Sequence, residues 1–370
     1  MSAKPLSGIR VLDFTALPPG GMATVMLADL GAEVIRVESP ALKGQPSLIF
    51  GQVAMSRGKK SLTLDQRNPG ANAVLARLAA SVDVVVENAR PGSMEARGFG
   101  YAQARAVNPK IVWCSLTGFG QDGPYADHAG HDLSYLAHSG LLAALAGGQL
   151  PWHPGTSLSL QAGAAAAVMG IQAALLRVAR GGMGDHVDIS LAEAALWFNG
   201  AGINPLTASP WYITATPDRR LYECADGRFV AVASAEKRTW EALCDGLGLP
   251  DLKPALGKWD DPDAVTRRLA AVFVTRPAAE WAERLAPAGA AVTVVNRGED
   301  LAGDPQVRAR GAVVEIAGSA VPASPVRLAS VPEHTSPIPP ATVGADTAAV
   351  LAAAGFSAEE LAGLEQGGLI

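Results

Sequence analysis

The feature that most constrains this chain is an alternation of short β-branched runs with helical spacing in its first 115 residues. Ile9 to Phe14 reads as a strand, Pro18-Pro19-Gly20-Gly21 breaks it, Met22 to Leu30 has helical spacing, and Glu33 to Val37 reads as the next strand. Ser61 to Leu64, Asn72 to Ala80, Val82 to Val86 and Ile111 to Ser115 continue the pattern as strand, helix, strand and strand. Such alternation predicts an α/β fold with a mostly parallel sheet and helices on its faces.

Beyond Gly118-Phe119-Gly120 the character changes. Asp132 to Leu145 and Gly163 to Arg180 read as Ala/Leu-rich helices with no strand between them. From Leu221 a hairpin-like strand, Gly227 to Val232, is followed by helices at Lys237–Leu247, Asp261–Phe273 and Ala278–Leu285 and a strand at Ala291–Val295. This predicts a smaller α+β domain. Prolines in Ser319 to Pro325 and Ser336 to Pro340 mark extended segments returning to the larger domain, and Ser357-Ala358-Glu359-Glu360 marks a last helix start. The expected division is 1–200 for the first part of the large domain, 201–325 for the small domain with its linkers, and 326–370 for the return.

A chain of 370 residues exceeds the point at which one core stops growing, roughly 250–300 residues. Composition then narrows the function. The apolar run Gly163 to Leu176 is too short for a membrane span and reads as a buried helix, and the N-terminus has no signal-peptide pattern, so a cytoplasmic protein with no membrane partner is expected. A formal charge of −5 argues against nucleic-acid binding. Cys114, Cys224 and Cys244 have no paired spacing, which indicates neither disulfides nor a metal site. The loop Ala16-Leu17-Pro18-Pro19-Gly20-Gly21 is not Gly-x-Gly-x-x-Gly, and its prolines remove N–H donors that a pyrophosphate needs, so NAD is not expected.

Several motifs, taken in order, resemble a known family. These are Gly8 to Asp13, Leu27 to Glu38, Arg57-Gly58-Lys59-Lys60-Ser61-Leu62, Asp83 to Gly92, Thr117 to Tyr125, and Gly130-His131-Asp132 with Tyr135 and Ser139-Gly140. Together they resemble the class III CoA-transferases of the carnitine dehydratase and bile-acid-inducible (CaiB/BaiF) type. Chain length and the Arg220-to-Leu249 segment are more similar to the 2-methylacyl-CoA racemase branch. The resemblance implies a Rossmann-like large domain holding an acyl-coenzyme A substrate, and chains interlocked as a homodimer with active sites between subunits.

Arg36, at the end of the second strand, and Arg90, before Pro91-Gly92, sit where ligand loops leave a parallel sheet, and the resemblance makes them CoA contacts. Lys59 and Lys60, read as a loop after Arg57-Gly58, are candidates for the ribose 3′-phosphate. His131, before a helix start, matches the histidine that exchanges the α-proton of an acyl thioester in racemase-like relatives. Glu236 matches the glutamate that orients that histidine and raises its basicity.

One departure stands out. Relatives carry an aspartate before the long Ala/Gly-rich helix, as nucleophile in transferases and as second base in racemases. Alignment on Ala162-Gly163 puts Leu160 there, with Ser159 or Gln161 under a one-residue shift. The expected function is therefore racemase-like or epimerase-like α-proton chemistry on a 2-substituted acyl-CoA with His131, lacking that aspartate. His153 is a candidate substitute base. The alternatives are CoA transfer between carboxylic acids with a relocated carboxylate, such as Glu236 or Asp132, and a non-catalytic acyl-CoA-binding paralogue.

Overall fold

The computed structural model describes residues 4–146, 153–200 and 216–370. The chain divides into two compact units, 1–206 together with 309–370, and 207–308.

The larger unit is built on strands β1 (Arg10–Asp13), β2 (Glu33–Glu38), β3 (Lys59–Thr63), β4 (Val84–Glu87), β5 (Val112–Thr117) and β6 (His186–Ser190). They form one six-stranded sheet in the order β3-β2-β1-β4-β5-β6, and every neighbouring pair is parallel. Val11, Leu12, Val84, Val85 and Val86 are wholly buried, as expected for central strands covered on both faces.

Helix α1 (Pro18–Asp29) starts on two prolines, whose fixed φ suits a first helical turn. Short α2 (Val53–Ser56) leads into β3, and α3 (Ala71–Ala80) covers one face with α4 (Ser93–Ala96) and α5 (Tyr101–Val107). The stretch expected as one helix from Asp132 to Leu145 is two, α6 (Asp132–His138) and α7 (Leu141–Ala146), because Gly140 between them adopts a φ of +74°.

Helix α8 (Leu158–Ala179) begins five residues earlier than the apolar run implies. It packs one face on α1, β5 and β6 through Ala164, Ala167, Val168 and Ile171. By length and composition it is one helix apolar enough to cross a membrane. The expectation of a buried helix holds for one face only, since Met169 and Leu176 on its other face are each 52% exposed. α9 (Leu191–Gly200) follows β6 directly and lies against α8. Strand β6 was not foreseen; its alternation of His186, Asp188 and Ser190 with Val187 and Ile189 fits an edge strand with only one apolar face.

The smaller unit pairs β7 (Arg219–Glu223), β8 (Phe229–Ala233) and β9 (Val292–Val294) in an antiparallel sheet, with α10 (Lys237–Leu247), α11 (Pro262–Phe273) and α12 (Ala278–Leu285) around a core of Trp240, Phe273 and Trp281. Both indole N–H groups are satisfied inside, by the carbonyls of Leu252 and Phe273.

Helix α13 (Pro305–Ala309) precedes the return, where a hairpin of β10 (Val313–Ile316) and β11 (Ser319–Pro322) forms. The segment after it runs along the larger unit: Ser336 N donates to Asp29 Oδ1 at 2.7 Å, and Ser61 N to Asp346 Oδ2 at 2.9 Å. Helices α14 (Thr347–Ala353) and α15 (Ala358–Gln366) then cover the β3 side, which would otherwise be an open sheet edge.

Candidate active site

Parallel sheets of this kind bind ligands beyond the carboxyl ends of their strands, where the strand order reverses. Here that point lies between β1 and β4. The loops leaving β1 and β4 are tied to each other there, because Ala16 N donates to Asn88 Oδ1 at 3.3 Å. Beneath them Glu87 accepts from Ala89 N at 2.6 Å, and burial pushes its carboxyl above the usual glutamate range.

Arg90 follows in the β4 loop. It is exposed, and its guanidinium has no partner among the described residues, so it is free to meet an anion. Along the same edge a cavity of about 400 Å³ is lined by Gln66, Arg67, Asn68 and Pro69 after β3 and by Ala96 and Arg97 after β4. Neither arginine's guanidinium has a partner among the described residues. This pair was missed in the sequence, where Gln66-Arg67-Asn68-Pro69 reads only as a polar turn.

The other basic candidates are committed elsewhere. Arg36 Nη1 pairs with Glu38 Oε1 at 3.1 Å and donates to Ser47 Oγ at 3.1 Å, while its Nε is buried without a partner among the described residues. Lys59 and Lys60 lie in β3 and not in a loop, so alternation turns them to opposite faces. The Lys59 side chain is 1% exposed and bonds to Asp13 Oδ2 at 3.1 Å, Thr24 Oγ1 at 2.6 Å and Gly21 O at 3.3 Å. Burial pushes its amine below the ordinary lysine range, against the opposing pull of Asp13. A phosphate has no path to that amine in this arrangement. What Lys59 does is brace the β1–α1 loop from below: Asp13 also accepts from Thr15 N and Oγ1, and Gly20 packs so closely on Thr15 that a Cβ there would lie 2.2 Å from its methyl group. Lys60 is exposed and pairs with Glu33 at 2.7 Å.

His131 occupies the cap position before α6, with extended backbone (φ −130°, ψ 178°). Its backbone N–H donates to Ser134 Oγ at 3.3 Å, and its ring is exposed with no partner among the described residues. The turn carrying it is held from two sides. Tyr135 Oη donates to Gly130 O at 2.6 Å, and the Tyr135 ring lies where a Cβ on Gly130 would come within 2.7 Å. Asp132 Oδ1 accepts from Ser159 N at 2.9 Å, Ser159 Oγ at 2.5 Å and Leu160 N at 3.4 Å, in the first turn of α8. Asp132 Oδ2 is buried and has no partner among the described residues. Burial, and then the charge of Asp132, raises the Tyr135 hydroxyl above its usual pKa, so it remains a donor.

Leu160 is half-buried and packs with Phe119 against Tyr135, Leu191 and Ala192. His153 is exposed, and its Nδ1 accepts from Gly155 N at 3.0 Å; Pro151 and Trp152 before it lie outside the described residues. Glu236 belongs to the smaller unit, is exposed, and stands at the start of α10 with Thr239 Oγ1 3.4 Å from its Oε2. The three cysteines are free and buried, and burial raises every thiol, that of Cys244 to about 11, so none is a ready nucleophile.

Residues 6–347 match the model of CoA-transferase family III. The chain belongs to that family. Within it, the chain is 32% identical to human alpha-methylacyl-CoA racemase, over 96% of this chain and 95% of that protein. It is 30% identical to the acetyl-CoA:oxalate CoA-transferase of Acetobacter aceti, over 88% and 89%. The crystal structure of Rv3272 from Mycobacterium tuberculosis superposes with a TM-score of 0.80 at 29% identity, over 94% of this chain and 99% of that one. The relatives of this family III member thus include both racemases and CoA-transferases.

Proposed function

We propose that this protein exchanges the α-proton of a 2-substituted acyl-CoA, with His131 as acid/base. The observation that carries the reading is the His131 ring itself: exposed, without a partner among the described residues, and held by Tyr135, which packs on Gly118 just beyond the carboxyl end of β5, in a chain similar to alpha-methylacyl-CoA racemases. A thioester carbonyl acidifies the α-carbon, and a neutral imidazole there can take the proton. Arg90, Arg67 and Arg97, at the carboxyl edge of the sheet, are assigned to the CoA phosphates. Glu236 is read, from likeness to the family, as the glutamate that orients the acid/base histidine. Leu160 is read as standing where family members carry a catalytic aspartate, so a fixed second base at that position is lacking.

Alpha-carbon exchange in D₂O, followed by mass spectrometry on 2-methylacyl-CoA, tests this. Deuterium uptake by the wild-type protein is expected, and none above background by His131→Ala. CoA transfer is the second reading, favoured by the likeness to the Acetobacter aceti enzyme. It requires a carboxylate nucleophile that becomes an acyl-enzyme. Hydroxylamine trapping after incubation with acyl-CoA is expected to yield no adduct; an adduct on Asp132 or Glu236 establishes transfer instead.

We further place the protein in the cytoplasm and as an interlocked homodimer. The apolar outer face of α8, with Trp197 and Phe198 of α9 61% and 50% exposed, supports a second copy as the cover.

A further inference from the structure

If His131 serves one face of a planar enolate, the opposite face needs its own proton carrier. Position 160 cannot supply it, since Leu160 packs among Phe119, Tyr135 and Leu191. A carboxylate nevertheless reaches the same helix turn from another element. Asp132 Oδ1 takes three donors at the start of α8, namely Ser159 N at 2.9 Å, Ser159 Oγ at 2.5 Å and Leu160 N at 3.4 Å. One oxygen is therefore fixed. The other, Oδ2, is enclosed and faces no donor among the described residues. Leaving a buried carboxylate oxygen unsatisfied costs about 1–3 kcal/mol or more, and such groups in native structures call for a role. An anchored oxygen beside a free one is the arrangement of an oriented acid/base, in which the anchor sets direction and the free atom carries the proton.

We infer that Asp132 supplies the carboxylate missing at position 160 and is the second proton carrier, which rests on the α-proton reading above. In one direction the neutral His131 ring takes the α-hydrogen as a proton, and the C–H electron pair passes into the thioester as an enolate. Protonated Asp132 then gives its O–H proton to the other face of that carbon, where the enolate pair forms the new C–H bond. The products are the inverted thioester, an imidazolium and a carboxylate. The reverse reaction, or exchange with solvent, resets both groups.

Asp132→Asn separates chemistry from architecture, because its amide oxygen still accepts from Ser159 and Leu160 while its nitrogen carries no acidic proton. The experiment follows both enantiomers of a 2-methylacyl-CoA in D₂O, reading label uptake by mass spectrometry and inversion by chiral separation, with the thermal midpoint as control. In Asp132→Asn, inversion is expected to fall by about 10²–10⁴-fold. Uptake on the enantiomer whose hydrogen faces His131 is expected to stay within a few-fold, with an unchanged midpoint. Leu160→Asp in that background is expected to restore inversion. Inversion undiminished in Asp132→Asn overturns the assignment, as does equal loss of uptake and inversion together with a lowered midpoint. Wild-type uptake without any inversion also overturns it while leaving the His131 reading intact; absence of both in the wild type ends both readings.

Discussion

Removing the Lys59 amine leaves the Asp13 carboxylate, 0% exposed, without its cation. Lys59→Met is therefore expected to lower stability by about 3–5 kcal/mol, read from urea denaturation. Lys60→Met, at an exposed pair with Glu33, is expected to change it by less than about 1 kcal/mol. Equal effects would contradict the assignment of one lysine to the interior and the other to the surface. The sequence Arg57-Gly58-Lys59-Lys60 carries no sign of this difference, because a buried lysine is visible only with its partners Asp13 and Thr24, which come from β1 and α1. His131 was legible for the opposite reason. Gly130 and Asp132 beside it are part of the local motif, and they are the residues that hold its turn in place.

Among the elements, strands with two apolar faces were the readable ones. β1, β2, β4 and β5 lie inside the sheet and are buried along almost their whole length, whereas β6 pairs on one side only and alternates with polar residues. Its position is fixed by close approach, not by hydrophobicity. Gly184, two residues before β6, passes so near the chain before β5 that a Cβ would lie 2.0 Å from Ile111 O. Because backbone cannot yield as a side chain tip does, Gly184→Ala is expected to cost about 2 kcal/mol or more, measured by chemical denaturation. Gly227→Ala tests a different constraint. It has a φ of +72° in open space, so only the strain of that conformation, about 1 kcal/mol, is expected.

At the scale of the whole molecule, the chain closes on itself through its last helices. Glu360 accepts from Ser357 N and from Arg77 Nη1, each at 2.6 Å, and these bonds hold its carboxyl below the usual glutamate range of 4.5. A carboxyl depressed in the folded state contributes stability above its unfolded pKa, and that contribution disappears as pH falls through the folded value. The thermal midpoint is thus expected to drop as the medium is acidified below about 4.5, with a smaller drop in Arg77→Ala. If α8 lies against a second copy, Met169→Glu with Leu176→Glu is expected to yield monomers in sedimentation. An unchanged mass would show that something else covers that face. The Arg67 and Arg97 cavity, assigned above to the CoA phosphates, was not readable in the sequence: its two arginines are 30 residues apart by numbering and become neighbours only once β3 and β4 stand in one sheet. The most direct test of the central claim is the α-hydrogen exchange rate of enzyme-bound 2-methylacyl-CoA in D₂O, compared between wild type and His131→Ala at saturating substrate. A fall of about 10²–10⁴-fold with unchanged CoA affinity is the predicted result; equal rates in the two proteins, or no exchange in the wild type while CoA binds, would contradict it.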